Sequence, residues 1–196
     1  MSRVEQAGSY ILGRMQNELN ENLYYHNVKH VIDVVQAAER IGMNENISVS
    51  EMELLKTAAL FHDCGYIIDA NDHEKLSCDI AIGFLPHIGF SPSEIQVICE
   101  LIMATSVPQN PHNLLEQIIC DADLDYLGRD DFFVLGYNIF REFKARNMVA
   151  DEKEWNKLQV KFLTAHTYFT ETSKKLRSSK KEMHLEKIIN SLQQEV

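Results

Sequence analysis

From Leu54 to Phe61 the chain is apolar at nearly every position, and it then passes without a break into His62 and Asp63. A run of this kind belongs to a buried helix, so the ionisable pair at its end is carried inward. An ionised carboxylate placed there costs several kcal/mol unless a cation or a full set of hydrogen bonds meets it. The fold must therefore bring partners to Asp63 from elsewhere. A divalent metal with converging nitrogen and oxygen ligands is one such partner.

The rest of the chain keeps a helical apolar period. Val4, Ala7, Ile11 and Met15 mark an opening helix that fades near Asn20. Val28, Val31, Ile32, Val35 and Ala38 form the stripe of a second, with Gly42 placed as its stop. Ser50 is placed to cap the third, with Glu53 in capping-box spacing. A fourth is expected over about His73 to His87. A fifth is expected from a Ser91 cap with Pro92 and Glu94 in the first turn to about Thr105. Leu114 to Gly128 carries the next apolar run. Asp130 is placed to cap a helix to about Asn147, Asp151 one through Phe169, and Thr172 to the end forms the last. With no alternating strands, repeats or Gly-rich linker, about nine helices joined by short loops imply an all-α fold, a bundle in one domain over residues 1–196.

Composition narrows the function. The formal net charge of -10 disfavours a large nucleic-acid footprint, although a local basic pocket can still read one phosphate. No stretch approaches the roughly 20 apolar residues of a membrane helix, and the N-terminus lacks a signal-peptide pattern. Cys64, Cys78, Cys99 and Cys120 contain no Cys-x-x-Cys pair and read as free thiols in a reducing compartment, so the expected location is the cytoplasm. Oligomeric state leaves no mark in the sequence.

Three further groups carry chemistry beside His62 and Asp63. His26 and His30 are four apart and share a helical face. Asp121, Asp123 and Asp125 alternate after an apolar run; on a helix Asp123 points roughly 200° away from the other two. His73 opens a later helix. Mixed imidazole and carboxylate ligation suits zinc, manganese or iron, with magnesium or nickel as further candidates. Taken singly, each group has an ordinary structural role. Their order is what points to a metal.

That order, His30, then His62-Asp63, then Asp123, resembles the HD superfamily of metal-dependent phosphohydrolases. Leu60-Phe-His-Asp-Cys-Gly-Tyr66 is similar to the superfamily's apolar-His-Asp-x-Gly run, and Ala122-Asp-Leu124 to its Ala-Asp-Leu run, which selects Asp123 from the three acids. Tyr25-His-Asn-Val-Lys-His30 is similar to the Tyr-His-Asn-x-x-His segment of cyclic nucleotide phosphodiesterases. The resemblance covers about residues 20–130, with the helices of 130–196 expected to pack on that core. It implies that His30, His62, Asp63 and Asp123 hold a divalent ion, that a metal-bound water attacks phosphorus, and that His26 is the general acid, with Asp63 also in the catalytic set. The implied substrate is a phosphoester of a nucleotide or other small phosphorylated metabolite.

The chain departs from the family's pattern in two places. Tyr66 stands where some members have a general-base Glu, and Thr105 where dinuclear members have a further His. One metal is therefore expected, with His73 the candidate for a second, weaker site. Lys29 and Arg129 are the candidates for phosphate. Two rival readings are a di-iron oxygenase on the same core and a non-catalytic nucleotide-sensing module.

Overall fold

The computed structural model describes residues 1–194, and among them there are nine α-helices, three short 3-10 turns and no strand. The helices are α1 (Arg3–Glu18), α2 (Val28–Asn44), α3 (Val49–Phe61), α4 (His73–Phe84), α5 (Pro92–Ala104), α6 (Leu114–Asp123), α7 (Phe132–Ala145), α8 (Glu152–Ala165) and α9 (Glu171–Gln194). The all-α expectation holds. The last two residues of the expected final helix, 195 and 196, lie outside the described residues.

Helix α3 is the hub, touching α1, α2, α4, α5 and α6. Its sequence explains why: Leu55 and then Thr57, Ala58, Ala59, Leu60 and Phe61 without a break are buried, so it has no water-facing side over its last turn. Small residues at 58 and 59 let neighbouring helices approach closely. Around this hub α1 to α6 enclose one hydrophobic core. A second core gathers Leu124, Tyr126 and Leu127 with Phe132, Phe140, Trp155, Leu163 and Ile188 from α7, α8 and α9. Tyr25 joins that second core from the loop before α2, close to His26.

Several local expectations are corrected. The cap of α3 is Ser48, in a capping box with Glu51, not Ser50 with Glu53. The two spacings are identical, and tertiary structure chooses: Glu53 is taken by Arg3, which also grips Glu94 and so ties α1, α3 and α5 together. Gly42 does not stop α2, which continues to Asn44. A Cβ on Gly42 would lie 2.8 Å from the Met52 side chain, so the glycine serves a close contact. Ile32 is exposed, and Val34, Ala37 and Ile41 take the buried positions. Helix α4 ends at Phe84 and passes into a 3-10 turn, Leu85–Ile88. Asp131 precedes α7, while Asp130 pairs with Lys180. Asp151 caps α8 as expected, but the helix ends at Ala165.

Gly65 is the residue on which the central motif depends. It sits in the 3-10 turn Cys64–Ile67, against the first residue of α4. A Cβ there would lie 1.9 Å from the carbonyl oxygen of His73. The same junction is bridged by Ser77, whose Oγ accepts from Gly65 N and donates to His62 O, both at 2.8 Å. Backbone cannot yield as a side-chain tip can. Gly65→Ala is expected to cost about 3 kcal/mol or more, the upper end for overpacking. That lowers Tm by roughly 6–12 °C for a chain of this size; a thermal melt with a shift under about 2 °C would contradict the close-approach account.

Candidate metal centre

Each side chain reaches the site for a local reason. Asn27 caps α2 by accepting from Lys29 N, which starts the helix in time to point His30 inward from its first turn. His62 follows the last residue of α3, and Asp63 turns the chain into the 3-10 segment. Asp123 ends α6. His30 and His62 are buried, as is Asp63, and Asp123 is partly so.

Donor atoms of His30, His62 and Asp123 all lie within 4.8 Å of one another. The two Nε2 atoms are 3.3 Å apart. Asp63 Oδ2 is 3.3 Å from each of them, and Asp123 Oδ1 is 3.2 Å from His30 and 3.5 Å from His62. His62 Nδ1–H donates to Ala59 O at 2.8 Å, so a neutral His62 presents its lone pair on Nε2, toward the centre. Asp63 Oδ2 is buried without a hydrogen-bond donor. Two imidazole nitrogens ringed by carboxylate oxygens, one oxygen unpartnered, make an electron-rich hole that only protons or a cation can reconcile. A divalent ion with mixed nitrogen and oxygen ligands fits it.

The electrostatics agree. Burial pulls the His30 pKa down, but the adjacent Asp123 and Asp63 carboxylates outweigh it and carry it above its ordinary value. His62 moves further: burial opposes, and the Asp63 charge prevails. Burial pushes Asp63 and Asp123 upward, yet the histidines hold Asp63 well below the usual carboxylate range and bring Asp123 to about 2.

The other sequence candidates fall around this centre. His73 Nε2 is 3.4 Å from Asp63 Oδ1, the oxygen facing away from the two histidines. His26 stands beside the cluster, its ring 6.0 Å from that of His30 and stacked on Tyr66 at 4.6 Å. Thr105 donates its hydroxyl to Ile102 O. Asp121 accepts from Phe169 N, Thr170 N and the Thr170 hydroxyl, and Asp125 pairs with Arg40 and Arg177 at 2.8 Å, so both serve the scaffold. Lys29 and Arg129 line a separate cleft on the far side of His30. Arg129 is held there by Asp33 at 2.7 Å and Asp131 at 2.5 Å.

A cleft of about 380 Å³ opens over the centre. Its lining brings together His26, Asp63, His73 and Asp123 with the apolar Phe143, Met148, Trp155 and Phe162. Trp155 is buried, yet both it and Phe162 present a surface to this cleft. Sequence reasoning missed Glu142 altogether. This buried carboxylate accepts the Nδ1 proton of His26 at 2.5 Å, and both Tyr25 N and His26 N donate to its other oxygen. The available signal was an acid three residues after Ile139 and one before Phe143, on the apolar face of α7.

Residues 27–125, just over half of the chain, match the HD domain family, and the chain belongs to that family. A Clostridium beijerinckii protein described only as uncharacterized is 27% identical over 97 residues, 48% of this chain and 61% of that one. The chain therefore spans less than two thirds of the length of that relative. Among solved structures, a protein described as a predicted HD superfamily hydrolase from an uncultured Thermotogales bacterium is similar with a TM-score of 0.61 and 22% identity, covering 96% of this chain and 92% of the other. Bacillus subtilis YpgQ, solved in complex with ADP, is similar with a TM-score of 0.69 and 19% identity over 99% and 95%. These structural likenesses concern the fold, and they extend through α7 to α9. Among the described residues no helix is long and apolar enough to cross a membrane.

Proposed function

We propose that this chain is a metal-dependent phosphohydrolase, acting as one domain on a phosphoester of a nucleotide or another small phosphorylated metabolite. The observation that carries the reading is the unpartnered Oδ2 of Asp63, buried between two Nε2 atoms. His30, His62, Asp63 and Asp123 would hold the ion, one of zinc, manganese, iron, magnesium or nickel. When bound, a divalent ion lowers the pKa of coordinated water and polarises a phosphoryl oxygen. The protein's part is the proton and the fit. His26, its Nδ1–H given to Glu142, leaves Nε2 open to the cleft, where it would carry the proton for the departing oxygen. The aromatic residues in the lining of the cleft suit a flat apolar group such as a base, and the ADP bound to YpgQ supports a nucleotide. Against a di-iron oxygenase stands Thr105, which supplies no nitrogen ligand to the cleft.

Elemental analysis and a phosphoester panel test the reading, and chelation adds a pH signature. In the metal-free protein the raised histidine pKa values contribute stability that is complete below their unfolded values and lost as pH rises through the folded ones. The lowered carboxylates contribute stability that is lost only as pH falls through their folded values, far into acid. Protons and the ion compete for the same histidines, so the Tm gap between loaded and chelated protein should widen from pH 6 to pH 9. At about 100 times Kd the ion adds about 2.7 kcal/mol, or roughly 5–11 °C. A gap that narrows with pH, or no metal and no hydrolysis by protein purified without chelator, would sink the proposal.

A further inference from the structure

The chain carries a net charge of -10, and the cleft over the metal centre is itself acidic, with Asp63, Glu74 and Asp123 on its walls. A phosphate ester brings more negative charge into this space. Among the residues lining the cleft, Arg146 is the one lysine or arginine. It also differs from the other arginines in having no partner. Arg3, Arg14, Arg40, Arg129 and Arg177 each pair with a carboxylate. Arg141 lies over the Tyr24 ring at 3.6 Å. Among the described residues Arg146 alone has neither, although it follows the end of α7, where free carbonyl groups attract cations.

Its place on the helix says which part of a substrate it serves. Glu142, which holds His26, lies four residues before Arg146, and Arg146 N donates to Glu142 O at 3.0 Å, so Arg146 sits about 6 Å further along the axis, just past the end of α7. His26 is the group that gives its proton to the departing oxygen. Arg146 therefore lies one turn beyond the acid's anchor, and it lines the cleft that His26 also lines. It also borders the adjoining cleft of about 500 Å³, together with Tyr66 and Glu142, so space continues past it.

Resting on the hydrolase reading, we propose that Arg146 receives an anionic group on the leaving side of the scissile bond, which makes the preferred substrate one whose leaving group is itself phosphorylated. Water oxygen bonds to phosphorus, and the bond from phosphorus to the leaving oxygen breaks with its electron pair. His26 Nε2 gives its proton to that oxygen, and the proton lost by the water restores His26. The leaving group keeps the charge of its own phosphate throughout, and Arg146 meets that charge through a charge-assisted, bidentate contact that a lysine reproduces only in part.

The test compares kcat/KM for ADP, whose leaving group carries phosphate, with AMP, whose leaving group is an uncharged nucleoside. Wild type, R146Q and R146K are assayed with the same metal. Arg146 is exposed, so these variants are expected to fold. Wild type should favour ADP, and R146Q should lose about 10- to 100-fold on ADP, as for one charge-assisted contact. The loss on AMP should be about tenfold smaller, with R146K between the two. Equal losses on both substrates, or no loss on either, would overturn the assignment. So would a wild type that cleaves AMP and leaves ADP intact, which keeps the hydrolase reading. A wild type that cleaves no phosphate ester in any metal would remove the hydrolase reading and this inference with it.

Discussion

Asp63→Asn and Asp63→Ala are expected to lose bound metal and hydrolysis together. Both oxygens of Asp63 face imidazole nitrogens, Oδ2 those of His30 and His62 and Oδ1 that of His73, and Oδ2 has no hydrogen-bond donor. The asparagine variant keeps the shape but offers a neutral amide where the hole needs charge. An ion that stabilises transition-state charge by several kcal/mol corresponds to a rate loss on the order of 10³-fold or more. Metal content should fall in parallel, measured by elemental analysis against protein concentration. Circular dichroism should stay helical, because the cores around α3 do not depend on this carboxylate. A variant that keeps its ion, or that turns over normally without one, would contradict the ligand assignment.

Glu142→Gln carries the second large effect. The carboxylate has three donors to satisfy, the backbone of Tyr25 and His26 and the His26 ring. Glutamine keeps a single acceptor oxygen, so it can hold the loop or orient the ring but not both. For an ester with an alkoxide leaving group, kcat should fall on the order of 10²-fold, the lower end of what a general acid contributes. A p-nitrophenyl ester, whose leaving group departs without a proton, should lose far less, and KM should change little for either. That split separates a positioning role from a structural one. A uniform loss across both esters that tracks a lowered Tm would sink the idea.

Much of this could be read before any coordinates. The helical period gave the class, because apolar residues at three and four admit no other element over such lengths. The metal candidates were legible because three short motifs in fixed order are improbable together, whatever each means alone. What escaped was tertiary choice. Ser48 and Ser50 offer the same capping spacing, and only the distant Arg3 decides between them. Gly42 looks like a stop, and only the approach of Met52 shows it as a contact. Glu142 lies 116 residues beyond His26, and no local rule connects them. Arg129 stood near the acidic cluster in the sequence, yet Asp33 and Asp131 hold it on another face, while Arg146 had nothing in its neighbourhood to single it out.

The join between the two cores bears on how such chains can be recombined. All four candidate ligands precede residue 125, where the family match also ends. Yet Asp125 is neutralised by Arg177 on α9, Gly128 meets the backbone of Arg177 too closely to admit a Cβ, and the anchor of His26 comes from α7. A chimera joined near residue 129 would inherit its candidate metal ligands from one parent and the Asp125 countercharge and the carboxylate that holds His26 from the other. A foreign C-terminal half would therefore have to match the first half at Asp125, Gly128 and His26 at once.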